Sequence, residues 1–131
     1  MPECGIAKRI IMKAVLVDDE KTGLDYLTQL CENIPELTDI KGFTKSRSAL
    51  EWCTKNPVDI AMLDINMPDI NGINLVKKLR ELKPDIKIIF VTAYEKYAID
   101  AFDVHADGYL LKPVNQETLT REVTHVLADF H

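Results

Sequence analysis

Short apolar runs alternate along this chain with stretches of helical spacing. Lys13-Ala14-Val15-Leu16-Val17 predicts a first strand. A helix over 20–33 follows, carrying Leu24, Leu27, Leu30 and Cys31, with Ile34 just past it, and Pro35 ends it. Thr38 to Phe43 predicts a weaker second strand. Ser46 or Ser48 can cap the next helix, and Ser48-Ala49-Leu50-Glu51 fits a capping box. That helix presents Leu50, Trp52 and Cys53 and stops near Asn56-Pro57. The run from Val58 to Leu63 predicts a buried third strand ending on Asp64, and Pro68 and Gly72 break the chain into a loop. A helix over 73–82 buries Ile73, Val76 and Leu79; Pro84 separates it from a fourth strand, Ile86 to Val91, ending at Thr92. Residues 95–103 read as a short helix with Tyr97, Ala98, Ala101 and Phe102. Tyr109-Leu110-Leu111 is a fifth strand ending at Lys112-Pro113, and Asn115 caps a last helix bearing Leu119, Val123, Val126, Leu127 and Phe130. Strict alternation with short links implies an α/β fold with a parallel sheet covered on both faces and right-handed crossovers.

In such a sheet, chemistry gathers beyond the carboxyl ends of the strands. Strand one offers Asp18, Asp19 and Glu20 there, strand three Asp64, strand four Thr92 and strand five Lys112. Any one of these alone reads more readily as a cap or a solvated turn residue; the set, at matching ends of four strands, does not. Two carboxylates ~4 Å apart repel by on the order of 4 kcal/mol at an effective dielectric near 20. Clustered carboxylates therefore call for a hard divalent cation, and Mg²⁺ takes a few carboxylates, waters and a phosphate oxygen. A carboxylate can also act as a nucleophile toward phosphorus. Lys112 would then supply charge and Thr92 a hydrogen bond to the transferred group.

Composition narrows the classes. A chain of 131 residues with 47% hydrophobic and 28% charged residues suits one domain. The formal net charge of -5 argues against a nucleic-acid surface and against attraction to anionic membranes. No apolar run approaches the ~20 residues of a membrane span, and the first dozen residues lack a secretory apolar core. Cys4, Cys31 and Cys53 read as reduced thiols of a cytoplasmic protein, and His105, His125 and His131 form no ligand cluster. Residues 1–12 read as an N-terminal extension to a domain at 13–131, with Met12 a candidate natural start.

Val17-Asp18-Asp19-Glu20, Leu63-Asp64-Ile65-Asn66-Met67-Pro68, Asn71-Gly72, Val91-Thr92-Ala93-Tyr94 and Tyr109-Leu110-Leu111-Lys112-Pro113 come in an order that resembles the receiver domain of two-component response regulators. The resemblance covers about residues 13–129. It implies a flavodoxin-like, doubly wound (βα)5 three-layer sandwich with strand order 2-1-3-4-5, an order for which a receiver is itself a standard illustration. It implies that Asp64 is the phosphoacceptor, taking a phosphoryl group from a sensor histidine kinase. Asp18, Asp19, Asp64 and the backbone carbonyl of Asn66 would hold Mg²⁺. Thr92 and Lys112 would contact the phosphoryl group, with Thr92 and Tyr109 as switch residues and a cis Lys112-Pro113 peptide.

A narrower likeness lies in Thr92 to Phe102 and Ala106 to Pro113, which resemble receivers of LytTR-type transcription regulators and relatives with other outputs. It implies control of a C-terminal output domain or a separate effector, so the chain is a stand-alone receiver or, as the resemblance favours, a piece of a longer regulator of transcription. A homodimer through the face of helix four, strand five and helix five is left open, because no pattern on 95–130 decides it. The implied chemistry is confined to the protein's own phosphorylation and dephosphorylation; it is not otherwise an enzyme. Three rivals remain. A degenerate receiver would act as a phosphorylation-independent binding module, but it usually lacks one of the residues that are all present here. A Mg²⁺-dependent phosphatase of the haloacid-dehalogenase kind also uses an Asp nucleophile, but needs a second carboxylate where this chain has Asn66. A flavodoxin cradles phosphate in its first loop, where Asp18-Asp19-Glu20 would repel it.

Overall fold

The computed structural model describes residues 12–128. The extension up to residue 11, with Cys4, and the C-terminal Phe130 and His131 lie outside the described residues. The elements are β1 (Met12–Val17), α1 (Lys21–Glu32), β2 (Leu37–Phe43), α2 (Ser46–Lys55), β3 (Ile60–Leu63), α3 (Gly72–Leu82), β4 (Lys87–Thr92), a 3₁₀ turn (Glu95–Tyr97), α4 (Ala98–Asp103), β5 (Gly108–Leu111) and α5 (Gln116–Leu127). The strands pair in parallel in the order 2-1-3-4-5, as the receiver likeness implied.

Strand periodicity sorts the core into two layers. Ala14, Leu16, Ile60, Met62, Ile89 and Val91 face one way and pack on Leu24, Leu27 and Leu30 of α1 and Leu119, Val123 and Val126 of α5. Val15, Val17, Ala61, Leu63, Ile88 and Phe90 face the other way, toward Ala49 and Cys53 of α2, Leu75, Val76 and Leu79 of α3, and Ala101 of α4. Every residue of β3 is buried. Each such Leu, Ile or Phe contributes roughly 1.5–3 kcal/mol by leaving water, enough to fix the register that brings Asp64 to the rim.

Several boundaries move by one residue: β1 takes in Met12, β2 takes in Leu37, β4 begins at Lys87 and α3 at Gly72. Helix-end assignments carry that tolerance. Two differences have physical causes. Neither Ser46 nor Ser48 caps α2; Lys45 holds the cap position without a side-chain bond. The Ser46 hydroxyl is buried and donates to the Ile70 carbonyl at 2.7 Å, while Asp69 reaches over from the loop after β3 to accept from the Arg47 N–H at 3.1 Å. The cap thus comes from another loop. The helix expected over 95–103 divides into the 3₁₀ turn and the six-residue α4, in which Ala101 alone is buried and Phe102 is exposed. It ends in a Schellman arrangement, with His105 at φ 59 and the Ala106 N–H donating to the Ala101 carbonyl at 3.0 Å.

The cap expected of Asn115 is formed, and Asn71 caps α3 in the same way. Asn115 accepts from the Thr118 N–H at 2.8 Å, and Asn71 does the same for Asn74 at 2.9 Å. Cys31 and Cys53 are free and buried; burial pushes the Cys31 thiol up to about 12. No described helix is long and apolar enough to cross a membrane.

Candidate functional site

Two glycines let helices approach the acidic rim closely, one at a carboxylate and one at the backbone. A Cβ at Gly23 of α1 would lie 2.7 Å from Asp18 Oδ2, and one at Gly72 of α3 would overlap the Asp64 carbonyl oxygen. The Gly72 N–H donates to Ile65 O at 2.8 Å, folding the loop after β3 back on itself. On the neighbouring strand, the Asp64 N–H donates to Val17 O at 3.0 Å and the Asp18 N–H to Phe43 O at 3.1 Å, continuing the sheet bonding to its rim.

Asp18, Asp19 and Asp64 each present a carboxylate oxygen, and these oxygens lie within 4.8 Å of one another. Asp18 is buried, Asp64 half-buried and Asp19 exposed. Glu20, expected on the same rim, is not part of this cluster; its backbone N–H donates to Asp18 Oδ1 at 3.0 Å. Asp64 Oδ1 accepts from the Ile65 N–H at 2.7 Å and, at 3.4 Å, from the N–H of exposed Asn66.

Lys112 is the cation of the site. Its backbone N–H donates to Thr92 O at 2.8 Å, and its Nζ bridges Asp18 Oδ2 at 2.7 Å and Asp64 Oδ2 at 3.0 Å. Burial alone would lower its pKa; the bonds and charges of the two carboxylates outweigh that and hold the ammonium above its ordinary range. The Lys112-Pro113 peptide is cis, as the family likeness implied. Thr92 is fully buried at the end of β4, and its Oγ1 has no hydrogen-bond partner among the described residues. An orphaned buried hydroxyl beside paired charges is an unspent donor.

Three carboxylates with one ammonium leave an excess of negative charge, and all the donors are hard oxygens. That set fits Mg²⁺. Asp19, with no cationic partner among the described residues, is the group with most to gain.

Tyr109 sits half-buried on β5 with its ring edge-on to Phe90 at 6.3 Å between centroids. Its hydroxyl donates to the Tyr94 carbonyl, two residues past Thr92. Desolvation, reinforced by the charges of Asp64 and Glu95, pushes its phenol upward. Tyr94 is exposed and stacks edge-on with Tyr97 at 6.0 Å, with Lys96 Nζ over both rings.

The structure thus gathers Asp18, Asp19, Asp64, Thr92 and Lys112 on one rim, with Asn66 and Tyr109 beside it. Sequence reasoning missed Ser46 and Asp69, which fasten the Asp64 loop to α2, and Tyr26, whose hydroxyl donates to Val114 O at 2.9 Å. Asp69 has a local signal, an acidic residue after Pro68 beside a helix lacking its own cap. Tyr26 has none.

The family model of the response regulator receiver domain matches residues 14–124. The transcriptional regulatory protein LytR of Staphylococcus aureus (strain N315) is 38% identical over 117 residues, 89% of this chain and 48% of that protein. The sensory transduction protein LytT of Bacillus anthracis is 38% identical over 111 residues, 85% of this chain and 45% of that protein. The chain therefore spans about half the length of the curated relatives it matches. Among solved structures, a CheY-like response regulator receiver domain protein from Methanospirillum hungatei JF-1 superposes with a TM-score of 0.82 at 27% identity, over 91% of this chain and 95% of that one.

Proposed function

The chain belongs to the response regulator receiver family, and on that premise we propose that Asp64 accepts a phosphoryl group from the phosphohistidine of a sensor kinase. The observation that carries this reading is Lys112 bridging Asp18 and Asp64 beside the unpartnered Thr92 hydroxyl.

An Asp64 carboxylate oxygen attacks phosphorus as the P–N bond breaks, and the donor imidazole leaves with the electron pair of that bond. Lys112 turns from its carboxylates to the transferred oxygens, and Thr92 donates its free hydroxyl to one of them. Asp18, Asp19, Asp64 and the Asn66 carbonyl would hold Mg²⁺, which when bound neutralises the carboxylates and the developing phosphoryl charge. The product adds close to two negative charges at Asp64. Drawing Thr92 toward them shifts the segment that carries the Tyr94 carbonyl, and with it the Tyr109 hydroxyl. The α4–β5–α5 face then changes population between two pre-existing shapes. That face would report to an output domain or separate effector, as expected of a transcription regulator in the cytoplasm, and is also where a homodimer would form. The receiver is assigned to 13–131, with 1–12 preceding it. Its chemistry is limited to its own phosphorylation and dephosphorylation.

The test is intact-protein mass after incubation with acetyl phosphate, with Mg²⁺ or with EDTA, for the wild type and Asp64→Asn. One added phosphoryl group is expected in the wild type with Mg²⁺ alone. Labelling of Asp64→Asn at the wild-type rate would refute the assignment.

A further inference from the structure

Lys112 can serve Asp64 only while the turn behind it stays in place. Its ammonium is fixed at one end by Asp18 and Asp64, and its backbone at the other by Thr92 O. Immediately after it comes Pro113, which has no N–H to offer. Beneath Pro113 and Val114 lies a cavity of about 320 Å³ whose wall includes Asp18, Gly23, Tyr26, Leu30 and Lys112. The Val114 side chain is buried in the core, but along this opening the backbone of the turn lacks the close packing of an interior.

One side chain crosses the gap. Tyr26, on the outer surface of α1, donates its hydroxyl to the Val114 carbonyl at 2.9 Å, joining positions 88 residues apart. Tyr26 is 47% exposed, so its packing is incomplete, and it is the hydroxyl that makes the connection to the turn. The start of α5 has separate moorings. Gln116 Nε2 donates to Leu30 O at 2.9 Å, and Asn33 donates to Gln116 Oε1 at 2.9 Å. Loss of the Tyr26 bond would therefore leave α5 and the buried Val114 side chain in place and loosen the backbone between Lys112 and Asn115.

We propose that Tyr26 is a positioning residue for phosphoryl transfer: its bond to Val114 is a strut across the cavity that holds the Lys112–Val114 turn where Lys112 reaches Asp64. This rests on the reading of Asp64 as phosphoacceptor. The strut links the helix that follows Asp18 and Asp19 to the loop that follows Lys112. A turn without it can settle into the cavity and withdraw the ammonium. Transfer depends on charge placed to within fractions of an ångström. Mg²⁺ affinity responds in the opposite sense, because Lys112 competes with a metal for Asp18 and Asp64.

The experiment compares the wild type, Tyr26→Phe and Gln116→Ala. It measures the labelling rate against acetyl phosphate concentration at saturating Mg²⁺, Mg²⁺ affinity by calorimetry, and Tm. Tyr26→Phe keeps the ring and removes only the donor. Its maximal labelling rate is expected to fall about threefold to tenfold, the range of one lost hydrogen bond, with the half-saturating donor concentration unchanged. Its Mg²⁺ affinity is expected to stay level or rise. Gln116→Ala is expected to lower Tm while labelling at the wild-type rate. Wild-type labelling by Tyr26→Phe would overturn the proposal. So would an equal slowing in Gln116→Ala, or a loss of Mg²⁺ affinity alongside the loss of rate, since each would indicate general loosening. Failure of the wild type to label at all would overturn the phosphoacceptor reading, and the strut with it.

Discussion

Replacing Lys112 with alanine removes the ammonium that touches both Asp18 and Asp64, at 2.7 and 3.0 Å. Asp18, 2% exposed, is left facing Asp64 with carboxylate oxygens within 4.8 Å. At that separation and an effective dielectric of about 20, each pair of negative charges repels by about 3.5 kcal/mol. Removing one partner of a buried pair costs roughly 3–5 kcal/mol, and rotation of Asp64 toward solvent recovers part of it. A net loss of about 3 kcal/mol follows, which for a domain of this size lowers Tm by about 10 °C in EDTA. The raised pKa of Lys112 gives the sign of the pH dependence. Its contribution is fully present below the ordinary lysine value of about 10.4 and is lost as pH rises through its higher folded value, so the difference between the proteins closes only in strong alkali. Millimolar Mg²⁺ reverses most of the deficit, since the cation replaces the ammonium without having to compete with it. The variant is expected to bind Mg²⁺ about tenfold or more tightly than the wild type, because the Lys112 ammonium occupies the same two carboxylates that would hold the cation, and like charges on shared ligands oppose one another. Thermal denaturation by circular dichroism in EDTA and in Mg²⁺, with calorimetric titration of the metal, measures both effects. Equal melting in EDTA, or weaker Mg²⁺ binding by the variant, would show that Lys112 does not balance these carboxylates.

Tyr94 lies exposed two residues beyond Thr92, where its ring can obstruct water approaching a phosphoryl group on Asp64; Tyr94→Ala is expected to shorten the phosphoryl lifetime severalfold, and an unchanged rate of loss in a pulse-chase by intact mass would dismiss the shielding. The backbone carbonyl that receives Tyr109 survives that substitution, so the switch contact is retained. Asp69 holds its charge at lower pH than an ordinary carboxylate: burial opposes ionisation slightly, but the N–H groups of Arg47, Ile70 and Ser46 outweigh it. Asp69→Ala removes this cap and is expected to cost about 1 kcal/mol at neutral pH. The lowered pKa means the contribution is present above the unfolded value of about 3.9 and fades as pH falls through the folded one, so urea midpoints of variant and wild type should converge in acid; a constant gap would show that charge plays no part.

The strands were legible because a parallel sheet buried on both faces demands short unbroken apolar runs, and this chain has few competing ones. Ile60-Ala61-Met62-Leu63 could hardly be anything else. The rim residues followed from where those runs stop. The capping of α2 is not legible in the sequence, because Ser48-Ala49-Leu50-Glu51 satisfies a local rule while the acceptor actually used arrives from a loop 22 residues away. Ser46 reads from the sequence as a possible cap, yet it is buried because its hydroxyl finds the Ile70 carbonyl. The division of 95–103 is hidden for a related reason: spacing cannot say that Ala101 is buried and Tyr97 half-buried against the core while Ile99 and Phe102 stay outside.

Each functional loop on the rim is fastened by a side chain from elsewhere, and the fastenings are unequal. The loop after β3 is held by a buried hydroxyl from Ser46 and a carboxylate from Asp69, both against α2. The turn after β5 is held through Lys112 itself and through Tyr26. The segment after β4 is held at its start by the Tyr109 hydroxyl, which comes from the edge strand, and leads into a helix of six residues with one buried side chain. Local opening costs least where few apolar groups are buried and the hydrogen bonds are near solvent. If Asp64 is phosphorylated as proposed, the elements that carry Asp64 and Lys112 would stay rigid while 94–103 responds, and Thr92, rooted in the rigid strand but only two residues from Tyr94, would be the side chain to pass the change on.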